Sequence, residues 1–353
     1  LPNIRILLQN SLHTVGAHCG LIRAIDAFTH ASWPFFIDTG TGSRSSGLWL
    51  QDGTGMIGEK RLLGVMTMAY QDYFFVERWY RYWSAQIGPE CLYLLSHGND
   101  PVHREIAIGA NIINLPRDSG MYKFDARRWR SMGYLASGLL EFYKWMIVSD
   151  VDEIVIADPL SATSVGDWIE RNTSDNKSAP KNISPLCLEL IHLPDEEPES
   201  IADDATILSR RRIFQPNWNY SKPCLIGAPA LFAPGGHRNN LGPRLLPDGL
   251  FTLHLKFFDL PMLTDRSKGR KEIMSEASTN GLEVDTSTSW GSTTLDRYHN
   301  IVASKTLRGE DVDLPEYRAA MRKQKQKYTN SFIWGQAIDK NLYRIPERFS
   351  ALF

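Results

Sequence analysis

Three carboxylates, Asp150, Asp152 and Glu153, follow directly on the apolar run Trp145-Met146-Ile147-Val148. A run of this kind reads as a buried strand, and acidic groups at its end are costly unless their charge is offset. Two carboxylates one residue apart can converge on one hard cation such as Mg2+ or Mn2+, and that cation can hold a diphosphate. The pattern predicts a metal–phosphate site near the middle of the chain, with Asp150 and Asp152 as ligands. A polar turn, where Asp is common, is the plainer alternative. Further along, His254 and Lys256 alternate with Leu253, Leu255 and Phe257, so both project to one face of a strand.

The elements needed to position these groups are legible as alternating strands and helices. Residues 62–69, 91–95 and 108–115 read as buried strands. Residues 74–86 read as a helix with Phe75, Trp79 and Trp83 at helical spacing. A second helix is predicted over 125–143, with Trp129, Met132, Leu135, Leu139 and Phe142 on its apolar face. Strand–helix alternation argues for a mostly parallel sheet. Ligands bind beyond the carboxyl ends of such strands, where Asp150 and Asp152 fall. Later strands are predicted at 186–191, 225–232 and 250–258, and a helix over 315–328 that begins at a proline. Residues 171–184 read as a polar insert. The stretch 53–58 matches G-x-G-x-x-G, but a strand follows it rather than a helix, so it reads as a loop. The predicted class is α/β, a Rossmann-like mixed and mostly parallel sheet flanked by helices. An extension of short strands covers 1–60, the main domain 61–270, and a mainly helical extension 271–353.

The 353 residues are 22% charged and 42% hydrophobic, with Lys+Arg 39 against Asp+Glu 40. This is ordinary globular composition with no bulk signal for nucleic acid. No stretch is apolar and long enough to span a bilayer. No signal peptide is legible, although the chain opens on Leu1, which leaves open a leader removed before it. Cys19, Cys91, Cys187 and Cys224 are scattered and read as free thiols of a reducing cytoplasm. Asn-x-Ser/Thr triplets at Asn172, Asn176, Asn182 and Asn219 come mostly from one polar loop, where composition accounts for them. The basic stretch Arg318, Arg322, Lys323, Lys325 and Lys327 offers either a peripheral contact to an anionic membrane or a solvated helix face.

Three passages resemble nucleotide-sugar glycosyltransferases of the GT-A fold, in the family 2-like group. They are the strand–helix start from Leu63 to Trp83, the helix leading into Asp150-Val151-Asp152-Glu153, and a later set. The later set comprises Ser221-Lys222-Pro223, Ala233-Pro234-Gly235-Gly236-His237 and Leu253-His254-Leu255-Lys256-Phe257-Phe258-Asp259. The resemblance spans residues 62–270. It implies a nucleotide-sugar donor, expected to be a UDP-sugar, held through Mn2+ or Mg2+ by Asp150 and Asp152. His254 becomes the third ligand, with His237 its rival, and Lys256 the phosphate contact. Lys222, Arg266 and one of Arg127, Arg128 and Arg130, with Arg128 the choice, are further basic groups within reach of the donor.

By the same resemblance the acceptor is a glycan or lipid-linked sugar, in surface polysaccharide synthesis, with inversion. The setting is cytoplasmic or peripheral to the inner membrane face. Displacement at the anomeric carbon needs a carboxylate base. Glu189 and Asp248 are the candidates, against a strand-edge role for the first and a Pro-Asp-Gly turn for the second. The chain departs from the family at Ser96-His97-Gly98-Asn99-Asp100, where Asp-Asp-Gly-Ser is usual and an acidic residue helps hold the base. Asp100 is the acidic residue there. Tyr70-Gln71-Asp72 replaces a more usual Lys-Asn-Glu. One rival is a haloacid-dehalogenase-like phosphatase with Asp150 as nucleophile, which departs from its pattern at Ile154 and in the late position of the motif. Another is a sugar- or nucleotide-binding domain without catalysis.

Overall fold

The computed structural model describes residues 59–117, 123–173, 180–279 and 294–353, all within the compact unit Ile57–Phe353. The short strands expected before residue 59, the glycine loop at 53–58, Cys19 and Asn176 lie outside the described residues.

The first half builds a parallel sheet. Strand β1 (Arg61–Ala69) leads to helix α1 (Tyr73–Ile87), β2 (Leu92–His97), α2 (Pro101–Ile106), β3 (Asn111–Leu115), α3 (Phe124–Leu139) and β4 (Tyr143–Val148). From Leu63 onward β1 is buried on both faces, which is why its sequence runs apolar rather than alternating. Helix α1 buries Phe75, Val76, Trp79 and Trp83, the side that the 3.6-residue period predicts. The strand order is β3-β2-β1-β4, all parallel. Helix α3 stops at Leu139, short of the predicted Tyr143. A tight turn after it lets Tyr143 open β4 opposite Arg61, and Phe142 is left exposed rather than on the apolar face.

After β4 the chain leaves this sheet for a second one. The remaining elements are β5 (Glu153–Ala157), α4 (Val165–Thr173), β6 (Asn182–Ile183), β7 (Leu186–Ile191), β8 (Ile213–Pro216), β9 (Leu225–Ile226), β10 (Leu250–Phe257), α5 (Leu260–Thr279), α6 (Thr294–Ser304), β11 (Thr306–Glu310), α7 (Pro315–Met321), β12 (Lys325–Tyr328), β13 (Ser331–Ile333) and β14 (Asn341–Arg344). Strands β9 and β6 extend the first sheet beyond β4, both pairings being antiparallel. The second sheet runs β11-β14-β8-β7-β10-β5 and is mixed. The fold is thus α/β, Rossmann-like in its parallel half.

Two expectations about elements are corrected. The strand predicted over 225–232 is only the two-residue β9. The helix predicted over 315–328 ends at Met321, because the Gln324 side chain both accepts from and donates to the Arg244 backbone and draws the chain into the β12–β13 hairpin. Beside its helices the C-terminal part carries strands: β14 pairs with β8 and β11 with β14 inside the second sheet. Position 270 falls within α5.

Cys91, Cys187 and Cys224 are buried and free. Among the described residues no helix is long and apolar enough to cross a membrane. The basic stretch is split: Arg318 is buried on α7 and bonded to the backbone of Asp313 and Pro247, whereas Lys325 and Lys327 lie on β12.

Candidate active site

A cavity of about 640 Å³ opens where β1, β2 and β4 end. Asp150, Val151 and Asp152, in the crossing 149–152 between the two sheets, line it. Ser149 donates its amide to the Met66 carbonyl in the first sheet, and the Asp152 carbonyl accepts from the Leu255 amide in the second. The crossing is therefore anchored at both ends, and it carries Asp150 and Asp152 into the cavity.

These carboxylates are matched by cations of the chain. Arg128 Nη1 lies 2.5 Å from Asp150 Oδ1, and Lys222 Nζ lies 2.8 Å from Asp150 Oδ2. Lys222 also lies 2.6 Å from Glu153 Oε1. Arg128 reaches Asp125, three residues earlier on α3, at 2.9 Å. Arg266 binds Asp152 at 3.1 Å and Asp72 at 3.0 Å, with its guanidinium 4.1 Å from the Phe75 ring centre. Burial opposes ionisation of Asp150, but Arg128 and Lys222 hold its carboxyl far below the usual range. Burial likewise opposes the charge on Lys222, and Asp150 and Glu153 more than restore it. Glu153 itself is pushed up to about 7, by burial, with Lys222 only partly offsetting.

Beside this cluster, β10 lies between β5 and β7. The register places His254 opposite Glu153 on one side and Glu189 on the other. His254 Nδ1 is 3.2 Å from Glu189 Oε1, and its ring stacks on Tyr220 at 4.3 Å. Glu189 Oε2 accepts from Gln215 and, at 2.9 Å, from Asn217. Burial works against the charge on Glu189, but His254, then Arg297 and the Asn217 amide, keep its pKa down at about 2. A carboxylate acceptor fixes the proton on Nδ1 and leaves Nε2 to serve the cavity that His254 lines.

Lys256, two residues on, lines the same cavity with Arg266 and Arg270 of α5. Burial, then the charge of Arg297, pushes the Lys256 ammonium down to about 8. On the opposite wall Arg117 lies 3.8 Å over the Tyr70 ring, and His97 stacks on Phe124 at 4.8 Å. The backbone there is strained: Gln71 and Asp72 have φ of 56° and 48°, a conformation costing roughly 1–2 kcal/mol per residue. His103 holds the turn by joining the Gln71 carbonyl to the Ser96 hydroxyl. Such strain gathers at functional sites. Gly236 (φ 67°) lets the 234–237 turn approach Trp129; a Cβ there would stand 2.3 Å from the indole.

The predicted residues divide accordingly. Asp150, Asp152, His254, Lys256, Lys222 and Arg128 share the cavity. Glu189 stands behind His254 rather than on the cavity wall. Asp100 caps α2, accepting from the Val102 amide and the Tyr73 hydroxyl, and does not line the cavity. Asp248 does not line the cavity: its side chain is 82% exposed and paired with Arg318 and Arg322. His237 lines the cavity, but its Nδ1 is 2.8 Å from the Asn219 carbonyl, and burial pushes its pKa down to about 4. Sequence reasoning assigned no role to Arg270, Asp125, Tyr220 and Asp72. The first two were readable as i,i+4 and i,i+3 companions of Arg266 and Arg128.

The donor set does not fit a divalent cation as it stands. Both oxygens of Asp150 and one of Asp152 are engaged by Arg128, Lys222 and Arg266. Among the described residues no three His, Cys, Asp or Glu side chains converge to hold a metal.

No family model matches the chain, and no curated protein matches it. One solved structure to which it is similar is the mannose-1-phosphate geranyltransferase of Thermus thermophilus, at 10% identity and a TM-score of 0.26, over 69% of this chain and 68% of that one. A likeness this low carries no argument about this chain.

Proposed function

We propose that this chain is a glycosyltransferase that moves a sugar from a nucleotide-sugar donor, expected to be a UDP-sugar, to a glycan or lipid-linked acceptor. The observation that supports it is the placement of Lys222, Lys256, Arg266 and Arg270 around one cavity with His254, beyond the carboxyl ends of a parallel sheet. Parallel sheets bind nucleotides at that edge. In the reaction the bond from the anomeric carbon to the diphosphate oxygen breaks, and the electron pair stays on the diphosphate. The basic side chains stabilise that growing charge. The acceptor oxygen bonds the same carbon from the opposite side, and its proton passes to His254 Nε2. Glu189 positions the imidazole and favours the imidazolium that forms.

The phosphatase reading needs Asp150 to present an unengaged oxygen to phosphorus, and both are ion-paired. The test is melting temperature and nucleoside-diphosphate release across a panel of UDP-, GDP-, CDP- and ADP-sugars with simple sugar acceptors. One nucleotide class is expected to raise the melting temperature, as a ligand of the native state does, and to be released in the presence of acceptor. Neither effect with any member of the panel would remove the proposal.

A further inference from the structure

The carboxylate pair that the sequence offers to a metal is already answered by cations of the chain itself. Arg117, Arg128, Lys222, Lys256, Arg266 and Arg270 line the cavity, against Asp72, Asp125, Asp150, Asp152 and Glu153. Its carboxylates are matched by cations of the chain itself, in the pairs Arg128–Asp150, Lys222–Asp150 and Arg266–Asp152. For a metal to reach the Asp150 or Asp152 oxygens that are paired, it would displace an ammonium or a guanidinium from a buried ion pair. Such a broken pair leaves an uncompensated charge behind.

We propose that this chain grips the diphosphate of its donor with Lys256, Arg266 and Arg270 and needs no divalent metal to do so. This rests on the nucleotide-sugar reading above. The three groups come from one continuous unit. Lys256 stands near the end of β10, and α5 starts at Leu260 and carries Arg266 and Arg270 one helical turn apart. Arg266 is oriented by its two carboxylates and by the Phe75 ring, so its planar fork is preorganised. Guanidinium groups match phosphate oxygens in pairs, which a hydrated metal does not require and an ammonium cannot do. In this arrangement Asp152 keeps Arg266 in place rather than holding a metal.

The experiment is calorimetric titration of the full chain with UDP, GDP, CDP, ADP and pyrophosphate, each in EDTA and again with Mn2+. The nucleotide that binds is expected to do so in EDTA with a Kd within about 3-fold of its Kd with Mn2+, since no ligand is lost with the metal. Arg270→Gln and Lys256→Gln are each expected to weaken binding in EDTA by ~10-fold or more, the loss of a charge-assisted contact. Pyrophosphate bound in EDTA and weakened by the same two variants would put the grip on the diphosphate itself. Binding that appears only with Mn2+ would overturn the inference and leave the transferase reading standing. Binding in EDTA that ignores both basic-residue variants would also overturn it. No binding of any nucleotide in either condition would remove both.

Discussion

His254 Nδ1 lies 3.2 Å from Glu189 Oε1, across the parallel pairing that sets the two residues side by side on β10 and β7. The second Glu189 oxygen is held by Gln215 and Asn217, so the carboxylate cannot turn away. One tautomer of the imidazole is selected, with the proton on the buried side.

Glu189→Gln is therefore expected to keep the fold and lower kcat by ~100-fold or more, since an amide no longer enforces that tautomer or steadies the imidazolium. KM for the donor should change little, because Glu189 does not line the cavity. Steady-state kinetics check this. A kcat near that of the parent would remove His254 as the proton acceptor.

Asp248→Asn is expected to leave kcat/KM within about 2-fold of the parent, as for surface substitutions away from structural features. The side chain is exposed and outside the cavity. A large fall in turnover would restore it as a candidate base.

Lys222 is 4% exposed and bridges Asp150 and Glu153. Lys222→Met removes one partner of a buried ionic cluster, and urea unfolding should show a loss of about 3–5 kcal/mol. An unchanged midpoint would mean that the cluster does not hold the two sheets' acidic edge together.

The acid limb of stability has a defined sign. Glu189, Asp150 and Asp152 have folded pKa values held below their ordinary values. Their stabilisation is complete above the ordinary carboxylate pKa and fades as pH falls through the folded values. Glu189 alone, lowered from 4.5 to about 2, corresponds to ~3 kcal/mol by linkage. Glu153 works in the opposite sense: raised to about 7, it favours the fold at low pH and loses that contribution as pH rises through 7. Melting temperature is expected to fall steeply below about pH 4, where depressed carboxylates protonate, and this fall should be shallower in Glu189→Gln. Parallel acid limbs in the two proteins would contradict the assignment.

Gly236→Ala is expected to cost roughly 1–3 kcal/mol, from a methyl driven against Trp129 and a left-handed backbone. Thermal unfolding measures it, and a neutral result would mean that the turn relaxes.

Much of this was legible because local pattern and tertiary role agree. The run Trp145–Val148 ending in Asp150 and Asp152 has the pattern of a strand delivering acids, and the strand–helix alternation before it became the parallel sheet. What was hidden depends on distance along the chain. Lys222 and Asp150 are 72 residues apart, and no periodicity announces that an ammonium will meet a carboxylate across that gap. Glu189 and Asp248 both stood as candidate bases; the Pro-Asp-Gly pattern already offered a turn at Asp248, whereas only strand register puts Glu189 behind His254. The helix predicted past Met321 was overruled by the side chain of Gln324, which found backbone partners in Arg244. Such a contact outweighs modest helix propensity.

Residues 149–152 have a mechanical consequence. Each end of this link is tied to a different sheet, through Ser149 to Met66 and through Asp152 to Leu255. Its length is thus a fixed gauge between two sheets that share one core. Most connections in a protein tolerate an added residue because slack can spill into solvent. Here an insertion would have nowhere to go, and it would slide one wall of the cavity past the other. The link from Ser149 to Asp152 should be the most length-intolerant stretch of the described chain, and a scan of single-residue insertions would find it by loss of soluble protein.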